Sequence, residues 1–348
     1  MSIIGLIQIG KTSKDPPSSD DMNEHVKPRV LISDTTGGEE NTLVDVLDKN
    51  LKIIDTRSIS RIIIKPNLMD PTHSPGVTIS PAVLEKIAGH LRNRFTEVVI
   101  VEGGGYNLPA KKMLDGHDVW NICKRTGAVA FDLCDLERVM LTTESRWNSP
   151  IRFPFPKILL DKDSILISLA CMKTHVFTGI SLSIKNLWGC IPDTKRTLFH
   201  AYINEILPKI VDSIPNPIAL IDGDIALDGR GPKLGTPFKG GIVISSTNLL
   251  AADIAATRVM GISPMQIRHL ERTIQLTDKL KDFNDYEIEM LGSAKLDRIM
   301  KTTRTWYDAI AIVTYWSPYL SKLFYDSRLT PIIQAAVLKT GLSPGAQN

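Results

Sequence analysis

The sequence predicts an α/β fold, with a mainly parallel sheet, helices on both faces and a C-terminal helical extension. Three observations point there. Short apolar runs alternate with longer segments of helical periodicity, the pattern of βαβ units. The runs are apolar at consecutive rather than alternate positions, as strands covered on both faces require. Four of them lead directly into polar residues, as strands do at the ligand-binding edge of an open sheet.

The chain begins MSIIGLIQIGK, whose apolar run predicts a short strand, and continues as KTSKDPPSSDDMNEHVKPR over 11–29. That stretch is polar and rich in Pro, Ser and Asp, which reads as a connector. Strands are predicted over 30–33, 61–64, 97–101, 164–169, 217–221 and 241–245. Between the second and third, Ser80 and Pro81 supply an N-cap and a first-turn proline, and Leu84, Ile87 and Leu91 carry helical spacing to about Arg94. Thr247 or Asn248 caps a further helix that runs through Leu250, Ile254 and Val259 and stops at Gly261. These elements make one α/β domain over 30–275. No internal repeat is present.

The remainder, 276–348, is read as a helical, aromatic-rich extension. Trp306, Tyr307, Tyr315, Trp316, Tyr319 and Tyr325 gather half of the chain's 5 Trp and 7 Tyr, and no charge falls between Asp308 and Lys322. Such a segment can cap the core, form a homodimer seam, line a pocket for an apolar substrate or rest on a membrane surface. Pro318 and the scarcity of flanking basic residues favour core or homodimer packing over membrane contact.

Composition narrows the function classes. At 348 residues, 43% apolar and 23% charged, the chain is long enough and apolar enough for a sizeable core. A net charge of +3 carries no case for nucleic acid or an anionic membrane surface, so local charge must argue for any partner. No apolar run approaches about 20 residues, so no transmembrane segment is expected. The N-terminal run has no basic region before it and no small-residue cleavage site after it, and the expected location is cytoplasmic. Cys123, Cys134, Cys171 and Cys190 form no Cys-x-x-Cys pair, which leaves buried thiols rather than a zinc ribbon or an iron–sulfur cluster.

Polar chemistry collects at the strand ends. RIIIKPN places Lys65 and Asn67, VVIVEGGG places Glu102, SILISLACMKTH places Lys173 and His175, and IALIDGD places Asp222 and Asp224. In a parallel sheet these segments share one edge, so they are expected to line one crevice. Downstream, GISLSIKN alternates so that, if extended, Ile180, Leu182 and Ile184 pack while Ser181, Ser183 and Lys185 face the crevice. His200 follows Lys195 and Arg196 near a helix start. His175 and His200 with Asp222 or Glu102 could make a metal site, although no H-x-x-x-H pair supports one.

Two glycine-rich loops are open to two uses each. Gly103 to Gly105 match neither G-x-G-x-x-G nor the P-loop and read as a tight turn before an anion cradle. DGRGPKLG over 228–235, with Arg230 and Lys233, reads equally as an anion-binding lid or a surface loop.

In this order the motifs KPNL (65–68), Thr78 with Pro81, KTH (173–175), SIKNLWGCIPD (183–193), Lys195, His200, IDGD (221–224), GRGPKLGTP (229–237) and AADIAATRVMGI (251–262) resemble the family filed as domain of unknown function 362. The resemblance spans about 60–275. It implies an α/β fold with an active-site cleft, and motif positions at Lys65, Asn67, Lys173, His175, Lys185, Asn186, Lys195, His200, Asp222 and Asp253, the last of them a candidate buried helix residue. Many relatives carry a ferredoxin module; the cysteine spacing here departs from that pattern, and no intrinsic iron–sulfur cluster is expected.

The function expected is that of an enzyme acting on an anionic carboxylate or phosphate small molecule, its reaction and cofactor unassigned. Lys173, His175, Lys185, His200 and Asp222 are the catalytic candidates. Lys65, Asn67, Asn186, Lys195, Glu102 and Arg230 are the candidates for holding the substrate. Crowded lysines depress one another's pKa, which suits a base or a Schiff-base nucleophile. The alternative is a metal or ligand carrier, or a redox-associated subunit, serving a partner enzyme.

Overall fold

Ile62, Ile63 and Ile64 are all inaccessible to solvent, and they face two different cores: Ile62 and Ile64 pack on one side of a sheet, Ile63 on the other. Val98 and Ile100 divide from Val99 and Val101 in the same way, as the two-residue strand repeat demands. The computed structural model describes residues 26–105, 108–193, 195–306, 308, 312–313, 316–328 and 330. The strand expected at the N-terminus, most of the connector after it, and Tyr307 and Tyr315 lie outside the described residues.

In chain order the elements are β1 (Arg29–Asp34), α1 (Glu39–Leu51), β2 (Arg61–Pro66), α2 (Pro81–Arg92), β3 (Glu97–Glu102), α3 (Ala110–Gly116), α4 (Val119–Thr126) and β4 (Val129–Asp132). Then come β5 (Arg138–Glu144), β6 (Pro150–Pro156), β7 (Ser164–His175), β8 (Gly179–Ser181), the one-turn α5 (Ser183–Asn186), α6 (Ile203–Ser213) and β9 (Pro217–Asp228). The last are β10 (Thr236–Ser246), α7 (Leu249–Val259), α8 (Arg268–Leu276), β11 (Glu287–Leu291) and α9 (Pro318–Tyr325).

The sheet runs β11-β1-β10-β9-β7-β2-β3-β4, with β8 paired to the end of β7, and β5 and β6 form a separate hairpin. Every pairing from β9 to β4 is parallel, and β10 alone on that path runs antiparallel to its neighbours. Helices α1, α2, α3 and α4 cover one face; α6 and α7, with the β6 aromatics Phe153 and Phe155, cover the other. Both expected helix starts are capped: the Ser80 side chain accepts from the Val83 N–H and that of Asn248 from the Ala251 N–H.

All six predicted strands are present, several of them longer than the apolar runs. Two departures bear on function. GISLSIKN is not extended throughout: β8 ends at Ser181, and Ser183–Asn186 close into a helical turn. The sheet also takes its edge strand β11 from beyond residue 275, parallel to β1.

Candidate functional site

The C-terminal ends of β2, β3, β7 and β9 do share an edge, but their polar side chains divide into separate groups. Lys65 and Glu102 form a buried ion pair at 2.8 Å, with Lys65 also donating to the Pro66 carbonyl and Glu102 accepting from the Gly103 N–H. The pair is sealed. A Cβ on Gly103 would sit 2.2 Å from the Gly189 carbonyl oxygen, and one on Gly189 would sit 3.1 Å from Lys65 Cε. Gly103 therefore serves close backbone packing, which favours the tight turn over an anion cradle.

The second group holds the SIKN turn in place. Asp253, fully buried in α7, accepts from the Ser183 N–H (2.9 Å), the Ser183 hydroxyl and the Ile184 N–H (3.0 Å). Burial pushes its carboxyl up to about 7 against the pull of those donors. Asn186 donates to the Lys65 carbonyl (2.9 Å) and to Ser168 Oγ (3.1 Å), bridging β2 and β7. Asn67 donates to Asn186 Oδ1 and accepts from Lys173 Nζ at 2.7 Å, and Lys173 also donates to the Val77 carbonyl at 2.6 Å. Burial lowers Lys173 to about 8.

The third group lies at the start of α1. Asp222 shares a side-chain hydrogen bond with Glu39, and burial beside that second carboxyl holds it well above the usual carboxylate range. Asp224 accepts from Thr35 and pairs with Lys239. Two other candidates are engaged by acids: Lys195 with Asp326 at 2.7 Å, and Arg230 with Asp308 at 2.8 and 3.1 Å. The loop that carries Arg230 is seated on the KTH segment. Thr174 Oγ1 donates to the Gly229 carbonyl, the Val176 N–H donates to the Gly231 carbonyl, and a Cβ on Gly231 would sit 1.9 Å from the Thr174 carbonyl oxygen.

Among the described residues, His175, Lys185 and His200 of the predicted set meet at one cavity, which has a volume of about 210 Å³. Four residues that the sequence did not single out join them: Arg146, Arg268, His269 and Arg304. Among the described residues that line the cavity none is acidic. Lys185 makes no hydrogen bond or ion pair with any described residue; its ammonium nitrogen lies 5.9 Å from the centroid of the Trp188 ring. Burial, with the charges of Arg196 and Lys173, lowers Lys185 to about 7. Near neutrality the amine is thus divided between its two forms.

The histidines are neutral at that pH. Burial and the Lys185 charge bring His200 and His269 down to about 3 and hold His175 well below its ordinary value. Their neighbours fix the tautomers. His175 Nδ1 accepts from the Phe177 N–H at 3.1 Å, so its proton sits on Nε2. His200 Nδ1 faces the Thr197 carbonyl at 3.1 Å and must donate, so in the neutral ring its Nε2 carries no proton. His269 Nε2 is buried without a hydrogen-bond partner. One donor and one acceptor nitrogen thus stand beside a half-deprotonated amine, a set suited to proton transfer on a bound anion.

The family described as domain of unknown function (DUF362) matches residues 62–258. A thylakoid-associated protein of Synechocystis sp. is 25% identical over 175 residues, which are 48% of this chain and 49% of that protein. The chain thus spans about half the length of this curated relative. No solved structure matches the chain. The matched region carries His175, Lys185 and His200, whereas His269 and Arg304 lie beyond it.

Proposed function

We propose that this chain, which belongs to the DUF362 family, is an enzyme that acts on an anionic small molecule, a carboxylate or a phosphate, in the Lys185 cavity. The observation that carries the reading is an amine with no acidic partner among the described residues, at the wall of a cavity whose described charged lining is wholly basic. A burial cost of this kind is relieved when an anion enters. Arg146 and Arg268 would hold the anion, Lys185 would act as base or as amine nucleophile, and His175 and His200 would pass protons.

The SIKN network gives the other predicted residues a task. Asn67, Asn186, Lys173 and Asp253 would act as positioning residues that fix the turn carrying Lys185. Among the described residues no three His, Cys, Asp or Glu groups stand close enough to hold a metal ion, which favours an anion site over a metal carrier. No helix among the described residues is long and apolar enough to cross a membrane. The reading places the enzyme in the cytoplasm, and four cysteines without a disulfide are suited to that reducing compartment.

Thermal unfolding at pH 7 with inorganic phosphate or succinate tests this. A ligand at 100 times its Kd adds about 2.7 kcal/mol, a rise of several degrees in Tm. The native protein should show the rise with at least one of the two, and Lys185→Met and Arg268→Gln should lose most of it. Equal shifts in all three proteins, or none in the native protein, would overturn the anion site.

A further inference from the structure

The mouth of the Lys185 cavity has a rim unlike a soluble enzyme's. Trp316 lines the cavity yet is 64% exposed, and Arg146 donates to its carbonyl at 3.0 Å. The Arg146 guanidinium lies 4.2 Å over the Trp147 ring, which is itself 46% exposed and packs edge-on against Tyr202. Tyr319, on α9, is 86% exposed and close enough to Tyr202 to influence its hydroxyl. Leu323, one helical turn beyond Tyr319, is also exposed.

Large aromatic side chains left this open on one face mark a docking surface. What docks is argued from charge. Lys322 is exposed, and the exposed Arg146, Arg268 and Arg304 line the cavity. The acids nearest the segment in sequence are already engaged, Asp308 by Arg230 and Asp326 by Lys195. Tryptophan and tyrosine beside arginines that make no ion pair with any described acid is the composition that settles at the headgroup level of an anionic bilayer. A self-complementary seam between two copies of this chain would bring these cations against one another.

We propose that this rim docks on an anionic lipid surface, and that the anion admitted to the cavity is the headgroup of a membrane amphiphile. The proposal rests on the anion-site reading for the second half and on the rim alone for the first. Docking would set the cavity mouth, with Arg268 and Arg304, against the headgroup layer. The small cavity volume suits a headgroup whose apolar tail stays in the membrane.

Flotation with phosphatidylcholine vesicles, with and without 30% phosphatidylglycerol (roughly a third anionic lipid, enough to raise a surface potential), tests the docking directly. The native protein should float with the anionic vesicles, at least tenfold more than with neutral ones, and high salt should weaken the binding. Tyr319→Ala/Leu323→Ala, both outside the cavity lining, should lose at least tenfold in bound fraction with an unchanged Tm, and Tyr319→Phe/Leu323→Met should regain most of it. The phosphate-induced Tm rise, measured on the same double-alanine protein without vesicles, should persist, so failure of the docking and failure of the anion site are read separately. Native protein that stays with the soluble fraction, or a dimer that the double-alanine change dissolves with no vesicle binding by either form, would overturn the proposal.

Discussion

His269 is 1% exposed, its Nε2 has no partner, and Lys185 lies near enough to oppose a second positive charge. Its folded-state value of about 3 stands below the ordinary 6.5, so between those two values the unfolded chain binds a proton that the folded chain does not. Stability therefore falls as pH drops from about 6.5 toward 3, by up to about 1.4 kcal/mol per pH unit for this one residue. His269→Gln, measured by denaturant midpoints between pH 6.5 and 5, should flatten the slope. A slope equal to that of the native protein would mean that His269 is protonated in the fold or titrates normally. No sequence signal reaches this residue: RHLERTIQL is an ordinary amphipathic helix, and a histidine on its buried side looks like core. Arg146 and Arg304 were equally silent, because each meets the cavity through residues distant in sequence, Ala201 and Trp316 for Arg146 and Val176 for Arg304. Asp253 did leave a trace, a lone carboxylate in a run of Ala, Leu and Ile.

The element on which the account turns is α5, four residues long and far too short to persist by its own hydrogen bonds. It is held from outside, by Asp253 at its N-terminal N–H groups and by Asn186 across the ends of β2 and β7. Asp253→Ala would leave two backbone N–H groups and a hydroxyl unpaired in the core, a loss of about 3 kcal/mol or more. Urea unfolding should show it, and a loss below about 1 kcal/mol, as at a surface site, would contradict the capping role. The same element explains where the sequence reading was sound and where it was not. Strands β2, β3, β7 and β9 were legible because both faces are covered, which leaves an unbroken apolar run. In GISLSIKN a two-residue alternation was present, but the partner that selects a helical turn over a strand is Asp253, 70 residues downstream from Ser183. β4 and β5 carry apolar runs as short as those of the predicted strands, at 129–131 and 139–141, but neither is buried on both faces, and alternate residues of each are exposed.

Across the whole molecule, the strand ends converge as an open parallel sheet requires, yet convergence does not put every polar residue in one site. Lys65 and Glu102 neutralise each other, Asp222 turns to Glu39, and Lys195 and Arg230 tie down segments that contain Asp326 and Asp308. What remains is a cationic cavity roofed in part by the aromatic extension, through Ile312 and Trp316. The extension thus reaches the pocket, but the charged lining described there is basic, whereas its composition had suggested a pocket for an apolar substrate. The amine of Lys185 integrates all of this: its burial, the charges of Arg196 and Lys173, and the lack of an acid beside it among the described residues. Its proton affinity is the most direct measure of whether the arrangement holds in solution. NMR titration of the Lys185 side chain, assigned by comparison with Lys185→Arg, should find a pKa of about 7 that rises when phosphate is added. A value near 10.5, unmoved by phosphate, would mean a solvated surface lysine and would contradict the site.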